Sequence, residues 1–261
     1  MNDTDLVAEP ADRWRALAPD SVLLDGFHAL KHALRFGADV RMVLTSDRAA
    51  VAGLAAQLAP DVAERIAGIG GIAVEVPAAV LRGLVPRPHP TGIAALAARP
   101  DRSANLAALA RRPRTAPVVL LDNPRNLGNV GAVVRLAAGF GATGGVTTGG
   151  TDPWHPAVVR AGAGLHFATA VEQLTLAQLP DGPLYVLDPE GADIRELPFS
   201  DDALLAFGSE RHGISAELRE RADQLVAIPM QPQVSSFNLA TSVGMGLFHW
   251  LSGRRAEGGH P

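Results

Sequence analysis

The feature that most constrains the fold is a regular alternation of short apolar segments with helix-like segments after residue 117. Strands joined through helices run in the same direction, so this alternation predicts an α/β domain with a mostly parallel sheet covered on both faces. The predicted strands are Val118 to Asp122, Gly145 to Thr148, Leu184 to Leu187, Leu204 to Phe207 and Leu225 to Ile228; the predicted helices are Val130 to Phe140, Ala157 to Ala161, Ser215 to Arg221 and Leu239 to Leu251.

A smaller αβ domain is predicted ahead of this one. It would contain strands Arg41 to Thr45, Ile72 to Val76 and Gly92 to Ala97, with helices Phe27 to Phe36, Ala49 to Leu58 and Pro77 to Leu84. Prolines and a change in composition mark the junction. The predicted organisation is a flexible N-terminus 1–20, a first domain 21–110, a linker 111–117, a second domain 118–254 and a flexible C-terminus 255–261.

Composition excludes several classes of protein. The chain has no cysteine, which excludes disulfides, thiolate nucleophiles and cysteine-bound metals. No apolar run approaches the ~18 residues that span a bilayer, and the acidic start lacks the pattern of a signal peptide. We therefore expect a cytoplasmic protein without a membrane partner. His28 and His32 have a spacing that metal ligands use, but no carboxylate cluster matches them, so no metal site is expected.

The charge of the chain is unevenly distributed. The net charge is −4, yet residues 1–116 carry 14 basic and 12 acidic side chains, whereas residues 117–261 carry 9 and 15. One stretch, residues 81–116, is basic against a single acid, Asp101. This stretch either attracts phosphates or is a solvated linker, and the sequence leaves both open. Its arginines are Arg82, Arg87, Arg99, Arg102, Arg111, Arg112 and Arg114.

The segment Gly139 to Gly144 matches the dinucleotide pattern G-x-G-x-x-G. That pattern binds a pyrophosphate only where it follows a strand and opens a helix. Here it ends a predicted helix, whose exposed carbonyls repel phosphate. The match is the only support for a rival interpretation as a nicotinamide-dependent oxidoreductase.

Three polar loops follow predicted strands of the second domain. The first runs Asn126-Leu127-Gly128-Asn129-Val130-Gly131 into a helix carrying Arg135, with Asn129 as a plausible N-cap; it could bind an anion or be an ordinary capped turn. The second, Phe207 to Ser215, is a glycine turn containing Glu210. The third, Ile228 to Asn238, is rich in hydroxyl and amide groups. Each could also be a turn that caps the next helix.

Taken together, the three loops resemble the motifs of the SpoU (TrmH-like) branch of the SPOUT RNA methyltransferases. The resemblance covers about residues 118–252. The matching segments are Asn129-Val130-Gly131-Ala132-Val133-Val134-Arg135, then Gly208-Ser209-Glu210 with Gly213, then Ile228-Pro229-Met230 and Ser235-Ser236-Phe237-Asn238. Residues 21–98 more loosely resemble the L30e-like substrate-binding domain that often precedes this domain, through LLDGFHALKHAL and HPTGIAAL.

The resemblance implies a deep trefoil knot, a homodimer, S-adenosylmethionine as methyl donor, and methylation of a ribose 2′-hydroxyl in structured rRNA or tRNA. Arg135 would anchor an RNA phosphate and assist deprotonation, in its own subunit or across the dimer, while Asn129, Glu210, Ser236 and Asn238 would position the reacting groups. Residues implied to bind the donor are Phe207, Gly208, Ser209, Gly213, Ile228, Met230, Phe237 and Asn238. Phe237 departs from the leucine usual in the family. The alternative is a catalytically inactive RNA-binding protein of the same fold.

Overall fold

The computed structural model describes residues 3–68 and 72–257 and divides into two compact units. The first unit comprises Met1–Pro100 with Ala163–Ala168, and the second comprises Asp101–Gly162 with Thr169–Pro261. Among the described residues, no helix is long and apolar enough to cross a membrane.

The first unit packs helices around a four-stranded mixed sheet. Strand order is β1-β4-β2-β3, with β4 antiparallel to both β1 and β2, and β3 parallel to β2. Its core includes Met42, Leu44 and Leu96. The elements are α1 (Asp3–Leu17), β1 (Val22–Asp25), α2 (Phe27–Arg35), β2 (Val40–Thr45), α3 (Arg48–Leu58), α4 (Ala63–Gly68), β3 (Ala73–Glu75), α5 (Ala78–Leu84) and β4 (Ile93–Ala97).

The N-terminal segment differs from the prediction of a flexible stretch over residues 1–20. It forms helix α1, which contacts α5 and places Trp14 in the core, where that side chain is almost fully buried. Pro10 lies inside the helix and removes one hydrogen-bond donor, so the sequence alone argues against a helix there. Burial of the large indole offsets that cost.

The second unit is built on a six-stranded sheet in which every strand pair is parallel, which confirms the predicted α/β class. Strand order is β10-β8-β9-β5-β6-β7. The elements are α6 (Arg102–Ala110), β5 (Val118–Leu121), α7 (Leu127–Phe140), β6 (Gly144–Thr147), α8 (Pro156–Ala161), β7 (Ala170–Gln173), β8 (Leu184–Asp193), β9 (Leu204–Phe207), α9 (Ala216–Glu220), β10 (Gln224–Ala227) and α10 (Leu239–Glu257).

Both faces of this sheet are buried, as a parallel sheet requires. In β5, Val119 and Leu121 point to one core with Trp250 of α10, whereas Val118 and Leu120 point to a second core with Leu109 of α6. Four consecutive apolar residues in β5 thus supply both layers. The last helix extends through 255–257, and residues 258–261 of the predicted C-terminal tail lie outside the described residues.

The boundary between the units lies before α6, whereas the sequence predicted a first domain ending at residue 110. Helix α6 belongs to the second unit because it contacts β7. Asn105 Nδ2 donates to Glu172 Oε1 at 3.0 Å, and Arg102 pairs with the same buried carboxylate at 3.3 Å. Polar contacts as well as Leu109 therefore attach α6 to the second unit.

The predicted linker 111–117 contains no helix or strand, but it is anchored. Arg114 is buried; its guanidinium donates to the Leu109 carbonyl at 3.1 Å and the Asp181 carbonyl at 2.8 Å, and it pairs with Asp202 at 3.4 Å. Arg112 pairs with the same carboxylate at 2.5 Å. These arginines are already bound within the fold, so the basic stretch offers fewer charges to RNA than its sequence suggested.

Glycine at position 131 has a packing role. A Cβ there would lie 2.5 Å from both the Ala161 Cβ and the Val158 carbonyl oxygen of α8. The close approach of α7 and α8 therefore requires a residue without a side chain. The trefoil knot and the L30e-like character of the first unit stay predictions from the resemblance.

Candidate active site

A cavity of about 600 Å³ opens at the carboxyl ends of β9 and β10 and beside the middle of β8. Ligands of open parallel sheets bind at this edge, and the volume lies within the range of small-molecule pockets. All eight residues predicted to bind the donor line this cavity. The lining consists of Leu187, Asp188, Pro189, Phe207, Gly208, Ser209, Glu210, Arg211, Gly213, Val226, Ile228, Met230, Ser235, Ser236, Phe237, Asn238, Leu239 and Ser242.

The second loop is closed on itself at its base. Ser209 and Gly213 exchange two backbone hydrogen bonds of 2.9 and 3.0 Å, and Gly213 adopts φ +63°. A Cβ on Gly208 would lie 2.2 Å from the Gly213 carbonyl carbon and 2.4 Å from Ile214 N. The backbone here crosses itself so closely that only glycine fits. This crossing fixes Glu210 and Arg211 at the exposed tip of the loop.

The first loop corrects one prediction. Helix α7 begins at Leu127, and its N-cap is Asn126 rather than Asn129. The Asn126 side-chain oxygen accepts a hydrogen bond from Asn129 N at 3.1 Å. Because Asn126 caps the helix, the side chain of Asn129 is released to make contacts outside it.

Asn129 joins the three loops. Its Nδ2 donates to Glu210 Oε1 of the second loop at 2.7 Å. Its Oδ1 accepts from Asn238 Nδ2 of the third loop at 3.1 Å. The amide thus uses a donor on one side and its acceptor on the other, which fixes its orientation. The structure brings together three of the five residues predicted to be catalytic.

Asn238 has two functions. Its Oδ1 accepts from Ala240 N at 3.0 Å and Thr241 N at 3.3 Å, so it caps α10 while its amide nitrogen reaches Asn129. The residues before it, 231–238, are all exposed, and they include Ser236 and two apolar side chains, Val234 and Phe237. Ser236 lines the cavity, as does Phe237.

Arg135 is the one predicted catalytic side chain, besides Asn129 itself, that does not line the cavity of its own chain. It is exposed on α7. Among the described residues, none forms a hydrogen bond or ion pair with its guanidinium. The structure therefore leaves this cation available on the surface of the helix that Asn129 anchors.

Sequence reasoning missed one wall of the cavity. Consecutive residues Leu225 and Val226 of β10 pair with Val186 and Ala192 of β8. Residues 187–191 of β8 therefore have no partner in β10 and bulge out of this strand pair. The bulge places Asp188 and Pro189 in the cavity wall. Arg219 of α9 pairs with Asp188 at 3.3 Å and with Glu190 at 2.5 Å, which holds the bulge in place. Pro189 and Gly191 are the sequence signals that could have indicated the bulge, since proline and glycine within a strand are typical of bulges.

Asp122, at the end of β5, is a second missed residue. Its buried carboxylate accepts from Ser215 N at 2.7 Å and from Thr148 Oγ1 at 2.8 Å. It therefore fastens the exit of the second loop to the ends of two strands. Ser215 also caps α9, as the sequence suggested.

The dinucleotide-like pattern of residues 139–144 does not open a helix. Helix α7 ends at Phe140 with Gly141 at φ +72°, so the pattern at 139–144 lies at a helix C-terminus, as predicted. In residues 3–68 and 72–257, no three His, Asp or Glu side chains are grouped as metal ligands would be.

Comparison with known proteins agrees with this geometry. Residues 116–248, half of the chain, match the model of the SpoU rRNA methylase family, and the match includes all three loops. The chain belongs to the SpoU rRNA methylase family. The family model ends inside α10 and begins just before β5, so it covers most of the second unit and none of residues 1–100.

Curated relatives share the same region. The chain is 36% identical over 140 residues to the 23S rRNA (adenosine(1067)-2′-O)-methyltransferase of Streptomyces laurentii, which is 50% of this chain and 52% of that protein. It is 32% identical over 156 residues to the 23S rRNA (uridine(2479)-2′-O)-methyltransferase of Streptomyces viridochromogenes, 53% and 54% of the two chains. The matches thus span about half the length of these relatives.

Solved structures match over nearly the whole chain. The SpoU methyltransferase AviRb of Streptomyces viridochromogenes, in complex with AdoMet, superposes with a TM-score of 0.72 at 21% identity over 94% of this chain and 97% of that one. A second structure, described as an RNA 2′-O ribose methyltransferase, gives 0.72 at 26% identity over 96% and 95%. Both units therefore have the arrangement of strands and helices found in SpoU methyltransferases.

Proposed function

We propose that the protein is an RNA methyltransferase that transfers a methyl group from S-adenosylmethionine to a ribose 2′-hydroxyl in rRNA or tRNA. The observation that carries the proposal is the hydrogen-bonded link Glu210–Asn129–Asn238, which joins three family motifs at the edge of one cavity. The substrates named for the relatives support the choice of RNA and of the 2′-hydroxyl. Its RNA substrates would be met in the cytoplasm.

The cavity residues fit the donor chemically. The tight crossing at Gly208 exposes backbone polar groups beside the apolar side chains of Ile228 and Met230, a surface that suits an adenosine group. The carboxylate of Glu210, which also lines the cavity, is one group that a cationic sulfonium could approach. When bound, the donor supplies an activated methyl group.

The protein's own residues must activate the acceptor, because a ribose hydroxyl is a weak nucleophile. The hydroxyl must be held in line with the methyl group and must lose its proton. Glu210 has one carboxylate oxygen engaged by Asn129, and its other oxygen can accept a hydrogen bond from the ribose. Asn129 and Asn238 hold that carboxylate in position, and Ser236 offers a further hydroxyl to the substrate.

Arg135 would anchor the phosphate next to the reacting ribose. Its guanidinium stays protonated at any physiological pH, so it acts on the reaction through a bound phosphate rather than as a free base. Because Arg135 does not line the cavity of its own chain, we infer that it completes the cavity of a second copy in a homodimer. Phe248 of α10, 64% exposed, supplies an apolar contact for such an interface.

The test uses purified protein, donor labelled in the methyl group, and total rRNA and total tRNA as separate substrates. We expect transfer to one of the two pools and 2′-O-methylated nucleosides after complete digestion. Arg135→Ala should lose at least about 100-fold in kcat/KM, the scale of a lost transition-state contact of about 3 kcal/mol. Arg135→Lys should recover part of the lost kcat/KM, since lysine restores the positive charge but not the planar guanidinium that makes two parallel hydrogen bonds. Arg195→Gln, an exposed arginine paired with Asp193, serves as the control.

Two outcomes would contradict the proposal. Equal and negligible transfer by the natural chain and by Arg135→Ala, to both pools, would remove the proposed reaction. Failure of calorimetry to detect S-adenosylmethionine binding, with RNA binding retained, would favour the inactive RNA-binding alternative.

A further inference from the structure

The second unit is acidic overall, yet several of its arginines have no partner. Arg195, Arg219, Arg221 and Arg254 are engaged by carboxylates or carbonyls. In contrast, no described residue gives Arg111, Arg125, Arg135 or Arg211 a hydrogen bond or an ion pair, and all four are exposed. An exposed guanidinium without a carboxylate keeps its charge and its hydrogen-bond donors available to an external anion such as a phosphate.

Two of these arginines flank the link between the motifs. Arg125 directly precedes Asn126, the cap of α7, whose oxygen holds Asn129 N. Arg211 directly follows Glu210, which accepts from the Asn129 amide at 2.7 Å. One short hydrogen bond therefore holds together the two loops that carry these cations. Arg211 also lines the cavity, so its loop tip lies at the entrance that a target ribose must reach.

We propose that Arg125 and Arg211 form a two-arginine clamp that binds the RNA phosphates on either side of the target nucleotide. The inference rests on the proposed function, because it takes RNA as the substrate. The nucleotide must present its ribose at the cavity edge, and its two flanking phosphates are the anions nearest to that ribose. A planar guanidinium binds a phosphate through two parallel hydrogen bonds, so a pair of arginines fixes both position and direction of the strand.

The clamp proposal places phosphate contacts at Arg125 and Arg211 and not in the basic stretch 81–116. Arg102, Arg112 and Arg114 of that stretch already bind carboxylates, so their charges are neutralised within the fold. Neutralising Arg125 or Arg211 should remove one phosphate contact each. In counterion-release terms, each loss lowers the dependence of log K on log[salt] by about 0.7 to 0.9.

The experiment measures binding of an unmodified 23S rRNA transcript and of bulk tRNA from 50 to 200 mM KCl, for the natural chain, Arg125→Gln, Arg211→Gln and the double variant. Each single variant should weaken binding of the RNA that accepts the methyl group about two- to fivefold, and the double variant should weaken it about four- to 25-fold. The Kd for S-adenosylmethionine should stay within twofold in Arg125→Gln, because Arg125 does not line the cavity. Arg221→Gln is the matched control, since Arg221 precedes β10, at the sheet edge opposite the cavity.

Salt slopes of both single variants equal to those of the natural chain and of Arg221→Gln would overturn the clamp. So would a tenfold loss of S-adenosylmethionine affinity in Arg211→Gln with an unchanged slope, because the arginine would then contact the donor. If the natural chain binds RNA with the expected slopes but transfers no methyl group, the proposed reaction fails while the clamp stands.

Discussion

Replacement of Gly208 by alanine tests whether the crossing in the second loop creates the donor site. The added Cβ would lie 2.2, 2.4 and 2.5 Å from three backbone atoms of Gly213 and Ile214. Carbon atoms in ordinary contact are about 3.5 to 4.0 Å apart, so the loop must open by roughly 1 Å. Backbone atoms cannot rotate away as the end of a side chain can.

The magnitude follows from this overlap. Overpacking of this kind costs about 1–3 kcal/mol. In the free protein the loop can open and so relieve the overlap. Donor binding requires the closed loop, so the free energy of binding is reduced by the cost of the overlap. We therefore expect the Kd for S-adenosylmethionine to rise about five- to 150-fold, with little change in Tm.

Isothermal titration calorimetry with S-adenosylmethionine measures the Kd, and thermal unfolding of the same samples reports Tm. Gly150→Ala is the matched control, because a Cβ at Gly150 of the same unit meets nothing within 4 Å. If Gly208→Ala binds the donor within twofold of the natural chain and of Gly150→Ala, the crossing does not shape the site and the reasoning fails.

Two further predictions concern stability and assembly. Burial favours the neutral form of Asp202, but hydrogen bonds from Arg114 N and Arg112 and both arginine charges lower its pKa overall, so its stabilisation is present at pH 7 and is lost as pH falls below the usual aspartate range. Asp202→Asn should therefore cost about 1–3 kcal/mol at pH 7 and progressively less toward pH 3 in urea unfolding, unlike Glu217→Gln; a cost independent of pH would contradict this. Phe248→Glu should shift the protein from dimer to monomer in light scattering. Phe36→Glu, which replaces another exposed phenylalanine, should leave the dimer intact. A Phe248→Glu variant that stays dimeric would place the interface elsewhere.

Five of the six strands of the second unit were predicted from short apolar runs, whereas β7 (Ala170–Gln173), which ends in Glu-Gln, was missed. Val118 to Leu121 is buried at every position, so the segment had no competing amphipathic pattern. The smaller errors arose where tertiary contacts outweigh local preference. Trp14 stabilises a helix that contains Pro10, and Leu109 with Asn105 attaches α6 to the second unit rather than the first.

The candidate site was predictable in its members but not in its connections. Asn126 and Asn129 are equally good caps by type. In the structure Asn126 caps α7, and the Asn129 side chain instead contacts Glu210 and Asn238. The bulge that brings Asp188 to the cavity depends on how β8 pairs with β10; Pro189 and Gly191 indicate an irregular strand but do not determine that pairing.

The sequence also does not show which of its arginines are paired within the fold, and this affects where RNA is expected to bind. A count of arginines directs attention to residues 81–116, where they are dense, whereas pairing within the fold consumes three of those charges. The cations that remain unpaired in the second unit include Arg125 and Arg211, which are far apart in sequence and lie in loops joined by the hydrogen bond from Asn129 to Glu210. If the clamp is correct, RNA binding depends less on the number of arginines in a segment than on which of them the fold leaves without a carboxylate.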